Sequence, residues 1–361
     1  METMTPGILT LRLPDPARVY RVAQWATGRI GVASLRALIG SPQFALVGVY
    51  VHSEAKAGKD AGELCGLPPT GVTATRDIEA IIRAKPDCVV AVQEGCNLDD
   101  VCRFLEAGIN IATSRVDFLN PAHMDPDVRR RTEEACRKGN ASIHASGSSP
   151  GFSSEALPML AASMSRSMER MIIDEFADIP LSCPDVQVTQ GMGFGRPVTG
   201  QFDPALLHHH AHGFMQSVDM VARALGITLD DMQVFGEMAG AKARFLLPGG
   251  TPMGQGTLAA QRITIAGISG GRQIILYRVN WYCTTDVDQD WELRPNGWRL
   301  VIEGDTPIDI NVTFPVSGEK LSPAMAGITA YRVVNAVPYV VEAPAGIRTT
   351  AELPVIVPRM V

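Results

Sequence analysis

Apolar residues crowd into short runs along the first 150 positions, with turn-forming residues between them. Phe44–Val51 (FALVGVYV) and Cys88–Val92 (CVVAV) are apolar nearly without break, the pattern of strands buried on both faces of a parallel sheet. Arg18–Gln24 (RVYRVAQ), Val72–Thr75, Asn110–Thr113 (NIAT) and Ser142–Ser146 read as further strands. Helical stretches fill the gaps. One ends near Gly40, Ser41 and Pro42, and one opens at Asp77 and is stopped by Pro86. A third is capped by Asn97 and closed by Gly108, and a fourth runs from about Met124 to Gly139. Asp99 and Asp100 fall in the first turn of the third, where the helix dipole favours them. Parallel strands need crossover helices, so this half predicts a doubly wound parallel α/β sheet.

The period then changes. Ile308, Ile310, Val312 and Phe314 alternate with Asp309, Asn311 and Thr313, the period of two that marks a half-buried strand. Trp298–Glu303 precedes it across Gly304–Pro307, which predicts a hairpin. A second hairpin joins Gln261–Ile268 to Gln273–Tyr282 through Ser269–Arg272. Before them lies a long helix with Asp203 at its N-cap, Pro204 in its first turn and Gly226 after its end. Its stripe Leu207, Ala211, Phe214, Val218, Val221 and Leu225 is spaced by threes and fours, so one face packs on that sheet. This half therefore predicts an α+β domain with a mostly antiparallel sheet. The tail from about Pro323 (PAMAGITAYRVVNAV) reads as a helix interrupted at Pro338.

Composition narrows the class. A chain of 361 residues suggests about two domains. With 32 Lys plus Arg against 38 Asp plus Glu, the net charge is −6, which argues against a nucleic-acid partner or docking on an anionic membrane. No apolar run approaches the roughly 20 residues that span a bilayer. The first sixteen residues, with Glu2, Arg12 and Asp15, do not read as a signal peptide. Seven cysteines without a C-x-x-C pair read as reduced thiols. A soluble, cytoplasmic protein is the expectation.

Candidate chemistry begins at Ala26-Thr27-Gly28-Arg29-Ile30-Gly31, directly after the first strand and opening the first helix. Small residues there let the backbone turn tightly and approach a pyrophosphate at the positive helix end. Ala26 stands where G-x-G-x-x-G has its first glycine. The second strand ends in Val51-His52-Ser53-Glu54-Ala55-Lys56, followed by Lys59. A small hydroxyl with nearby lysines suits the 2′-phosphate of NADP, whereas Glu54 turned inward would favour NAD. Gln93-Glu94 follows CVVAV at its carboxyl end, where open sheets place ligands. Glu94 there reads either as an acid–base group that stabilises a developing cation, or as a surface acid near the next helix. Thr113 and Ser148, at the ends of two further strands, join Gln93 among the cofactor-side candidates. His144 and the Gly- and Pro-dense loop through Phe152 stand at the junction of the two halves, where clefts form. His208 and His212 are four apart, but no third ligand accompanies them, so no metal is expected.

The segment through Gly58–Gly66 (GKDAGELCG), with Gly147–Phe152 (GSSPGF) and Asn335–Pro338 (NAVP), resembles the dihydrodipicolinate reductase-like superfamily. Within it, the chain is most similar to 2,4-diaminopentanoate dehydrogenases and the related native amine dehydrogenases, over about Val19 to Pro354. The Glu-x-His-His-x-x-Lys and Asp-Ala-Pro-Ser-Gly-Thr motifs of dihydrodipicolinate reductase itself are absent. The resemblance implies a Rossmann domain over residues 1–150 with a returning tail over 323–361. It implies a substrate and homodimer domain over 151–322, and a nicotinamide cofactor, NADP with NAD allowed. It also implies reversible reductive amination of a small ketone or aldehyde with ammonia, with Glu94 as the key acid. Phe152, Met192, Phe194, Trp281 and the histidines His144 and His208 are the expected substrate-side candidates. Two other functions remain open: a diamino-acid dehydrogenase using Arg196 or Arg262 to hold a carboxylate, and a non-catalytic NADPH-binding regulator.

Overall fold

The computed structural model describes residues 13–181, 183–198 and 202–359. Of the N-terminal stretch read above, Glu2 and Arg12 lie outside the described residues. The chain divides into two compact units, one running to Ser149 and resuming at Ala326, the other from Pro150 to Met325.

The first unit alternates as the apolar runs predict. Its strands are β1 (Tyr20–Trp25), β2 (Phe44–Tyr50), β3 (Ala74–Thr75), β4 (Cys88–Ala91), β5 (Asn110–Thr113) and β6 (Ser142–Ala145). The helices between them are α1 (Arg29–Gly40), α2 (Ala61–Cys65), α3 (Ile78–Arg83), α4 (Leu98–Glu106) and α5 (Pro126–Gly139). Asp60, Asp77, Asn97 and Asp125 each accept a backbone N–H at a helix start, which satisfies donors the helix cannot pair itself.

In the second unit α6 (Leu157–Ala162) leads to β7 (Met168–Asp178), then α7 (Pro204–Ala224). The remaining strands are β8 (Asp231–Gly240), β9 (Phe245–Leu246), β10 (Pro252–Met253), β11 (Leu258–Ser269), β12 (Arg272–Tyr282), β13 (Gly297–Gly304) and β14 (Ile308–Thr313). Six of them form one sheet in the order β14-β13-β7-β12-β11-β8. Every neighbouring pair in it is antiparallel except β7 with β12. Ala211, Phe214, Val218 and Val221 of α7 are buried against Ile263, Ile265, Tyr277 and Leu300 of that sheet. Phe214 stacks on Tyr277 with ring centroids 4.7 Å apart.

The chain then returns through α8 (Leu321–Glu342) to β15 (Gly346–Arg348). The first unit's sheet is completed as β15-β6-β5-β4-β1-β2-β3, parallel throughout. α8 corrects one expectation, because it continues through Pro338. Val333, Val334, Ala336, Val337 and Val340 are buried against Tyr20, Val22, Cys88 and Val90. That burial outweighs the one hydrogen bond a proline removes. The Gly- and Pro-dense stretch expected as a loop is also helical, winding in wide turns over Ser148–Ala156 into α6.

Candidate active site

The strand order of the first unit reverses between β1 and β4, and open α/β sheets bind ligands beyond the strand ends at such a switch point. Val92 N–H donates to Trp25 O (3.2 Å), tying the ends of β4 and β1 together.

The turn after β1 divides its work among three positions. Ala26 adopts left-handed backbone, φ 73°, and its N–H donates to Tyr50 O (2.9 Å) at the end of β2. Gly28 is exposed, and a Cβ built there would meet nothing within 4 Å, so the backbone is open to approach. A Cβ on Gly31 would lie 2.4 Å from Ala26 O, so only a hydrogen fits where α1 crosses the turn. These are the three duties of the glycines in G-x-G-x-x-G, with an alanine taking the first. Gly28, the N-cap of α1, makes no side-chain cap, which leaves the positive helix end to an anion. Arg29 is exposed beside it, and Ile30 packs on the core below.

The loop after β2 folds back onto this turn. Lys56 Nζ donates to Thr27 O (2.7 Å), and Thr27 itself is buried. Ser53 and Glu54 are exposed, Ser53 making no cap bond to the short turn Glu54–Lys56. Lys59 is paired with Glu63 at 2.9 Å. The loop that follows β2 therefore carries an exposed hydroxyl and an ammonium bonded to the glycine turn, which supplies a cradle. These residues fit a nicotinamide dinucleotide.

At the end of β4, Gln93 is buried and its Oε1 has no hydrogen-bond partner. Glu94 follows it, exposed. Asn97 caps α4, with Asp99 and Asp100 in its first turn, so the duty of a surface acid at that helix start is already filled without Glu94. Thr113 stands at the end of β5. It is buried, donates to Ala91 O (2.6 Å) and accepts from Arg115 N–H (3.1 Å), so its hydroxyl fastens the ends of β4 and β5. Ser148 pairs with Thr329 at 2.7 Å. His144 is buried, with Nδ1 2.7 Å from Arg348 O and Nε2 unpartnered. Burial pushes its pKa down to about 4, so the ring is neutral and Nδ1–H donates to β15.

In the second unit, Phe152 lies 5.9 Å from Trp298, itself edge-on to Phe314. Phe194 is buried with Ile179, Val188, Leu247, Met253 and Leu258, and Met192 and Trp281 pack against that cluster. His208 is exposed, 6.3 Å from His212. The histidine that turns inward is His210, edge-on to Trp281 at 5.0 Å with a buried, unpartnered Nε2. Consecutive histidines on a helix point in different directions, and spacing alone did not select the one that meets the sheet. Arg262 lies 4.4 Å over the Trp291 ring and donates to Asn280 (2.7 Å), and Arg196 is exposed. Among the described residues no His, Cys, Asp and Glu cluster could hold a metal, and no helix is long and apolar enough to cross a membrane.

Residues 159–360 match the family model of the 2,4-diaminopentanoate dehydrogenase C-terminal domain, and residues 25–96 that of the dihydrodipicolinate reductase N-terminus. An amine dehydrogenase from Streptomyces virginiae is 28% identical over 343 residues, which is 91% of this chain and 95% of that one. A 4-hydroxy-tetrahydrodipicolinate reductase from Synechococcus elongatus is 30% identical, but over only 24% of this chain and 34% of its own. Among solved structures, amine dehydrogenase from Mycobacterium smegmatis superposes with a TM-score of 0.73 at 18% identity, covering 94% of this chain and 97% of that one. A probable dehydrogenase from Thermotoga maritima gives 0.54 at 14% identity, covering 92% and 91%. The C-terminal family match spans more than half of this chain, which belongs to the 2,4-diaminopentanoate dehydrogenase family and is an NAD(P)-dependent oxidoreductase.

Proposed function

We propose that this protein is an amine dehydrogenase that interconverts a small ketone or aldehyde plus ammonia with the corresponding amine. The observation that carries this reading is Glu94, an exposed carboxylate at the switch-point end of β4 whose helix-start duties are taken by other residues. The full-length similarity to an amine dehydrogenase supports it. The turn Ala26–Gly31, Ser53, Lys56 and Gln93 would hold the dinucleotide, with NADP preferred and NAD accepted. The bound nicotinamide supplies hydride to the substrate carbon. Glu94 does the rest of the chemistry as a proton carrier: it takes a proton from ammonium to free the ammonia that adds to the carbonyl. An N–H proton of the adduct passes to the former carbonyl oxygen to form a hydroxyl, and Glu94 returns its own proton to that hydroxyl, which leaves as water. Its carboxylate then balances the iminium charge, which forms where the negative charge already stands. Phe152, Met192, Phe194 and Trp281 would form apolar walls, and the cytoplasmic protein would work as a homodimer.

The family match itself favours a second reading, a diamino-acid dehydrogenase, in which Arg196 or Arg262 holds a substrate carboxylate. A panel of carbonyls in ammonium buffer, followed by NADPH and NADH absorbance, separates these. The amine reading expects turnover of small neutral ketones or aldehydes, faster with NADPH. Turnover confined to substrates bearing a carboxylate, with inhibition by simple carboxylates, would transfer the conclusion to the second reading. Tight NADPH binding without turnover of any carbonyl would make the protein a regulator.

A further inference from the structure

Gln24 is a polar side chain with no exposure at all, in the interior of β1. A buried amide must find partners, and those it finds lie at the end of β1, in the turn that follows and on α1. Its Nε2 donates to Ala26 O (2.9 Å) and lies 3.3 Å from Trp25 O, while its Oε1 accepts from Ser34 Oγ (2.9 Å). Ser34, buried on α1, lies with the same hydroxyl 3.1 Å from Gly31 O. The amide thus ties Ala26, the first residue of the turn, to Ser34 of α1 from beneath.

The contact bears on the one strained residue of the turn. Ala26 holds φ 73°, a region that a side chain with a Cβ disfavours and glycine enters freely. Its carbonyl is wedged against Gly31, where a Cβ would sit 2.4 Å away. Bringing φ of Ala26 to a negative value, with its N–H held by Tyr50 O, would swing the Ala26 carbonyl off Gln24 and re-aim the backbone that leads to Gly28. We infer that Gln24, backed by Ser34, is a positioning residue for cofactor binding. It holds Ala26 in the left-handed state and so does by hydrogen bonding what a first glycine does by conformational freedom. This rests on the reading of the turn as the dinucleotide site.

The test uses the full chain and measures NADPH dissociation constants by protein-fluorescence quenching, alongside melting of the ligand-free protein. Wild type is measured first, because failure to bind NADPH or NADH would overturn the site reading rather than the clamp. Gln24→Met keeps length and loses both bonds, and should weaken NADPH by about tenfold or more, the worth of a buried hydrogen bond. Ala26→Gly alone is measured as the reference for the double variant, whatever its own affinity. The double variant should return to within about threefold of Ala26→Gly, since a glycine needs no clamp. Binding by Gln24→Met equal to wild type would overturn the inference. So would a double variant that regains its melting temperature but not its affinity. Should Gln24→Met fail to fold, Ser34→Ala removes only the backing contact, and its smaller loss must likewise be rescued by Ala26→Gly.

Discussion

The ends of β1 and β4 are neighbours in one sheet, yet they are finished in opposite ways. After β1 the polar groups are answered from within the chain: Ala26 N–H by Tyr50, Ala26 O by Gln24, Thr27 O by Lys56, and Gly28 O by Val32 N–H at 2.8 Å. After β4 they are answered only in part. Gln93 keeps a buried oxygen without a partner, Gly95 turns the chain at φ 60°, and Glu94 stands in solvent. A binding cradle profits from being built before the ligand arrives, because ordering it then costs nothing further. A group that carries protons must instead stay available to the reacting molecule. The unanswered end lowers stability, and that is where the chemistry is assigned.

The largest expected effect tests the open end. Glu94→Gln keeps size and hydrogen bonding but removes charge and basicity, and kcat for reductive amination should fall by about 10²-fold or more, the scale of acid–base catalysis. NADPH affinity should hardly move. A change in KM alone would reduce Glu94 to an ammonium binder. The closed end is tested by two glycines that look alike in sequence. Gly31→Ala places a methyl against Ala26 O and should cost about 1–3 kcal/mol of stability, read from urea unfolding. Gly28→Ala enters open space at an ordinary φ of −72°, so its melting temperature should hold while NADPH binding weakens. Equal melting of the two would erase the division of labour in the turn.

Gln93→Met sharpens the contrast further. Removing an unsatisfied buried oxygen should stabilise the ligand-free protein by about 1 kcal/mol, while NADPH affinity falls. One further effect concerns the end of β6. The unfolded chain's imidazole takes a proton near pH 6.5, whereas His144 in the fold refuses one until about pH 4. The stability His144 contributes is present above pH 6.5 and is lost between 6.5 and 4. Unfolding curves at pH 7 and 4.5 should therefore show wild type losing more stability than His144→Gln.

What the sequence discloses depends on how local the cause is. β5, with bounds at Asn110 and Thr113, and the capped α7 follow from short-range pattern and turn chemistry. β7 did not announce itself, because Arg170, Asp174 and Glu175 interrupt its apolar residues. Arg170 and Asp174 are legible only once Glu303 and Arg278 pair with them across the sheet. Three-residue β15 has no pattern of its own and exists through β6. Among the proposed site residues, the glycine turn and Glu94 are visible in the sequence as residue types at strand ends. Gln24 was not, because the last polar residue of a strand gives no sign of where its amide bonds. His210 was hidden by its neighbours in a run of three histidines, until the packing of α7 chose among them.

β15 also bears on how the protein is made. His144 and its partner Arg348 are 204 positions apart, and the whole second unit is encoded between them. At about 5–20 residues per second a ribosome needs roughly 10–40 s to travel that distance. Through that interval the β6 edge of the nascent chain, with Ile143 and His144, has no strand to pair with. An unpaired edge invites other strands, so this is the stretch of synthesis in which a chaperone has most to protect.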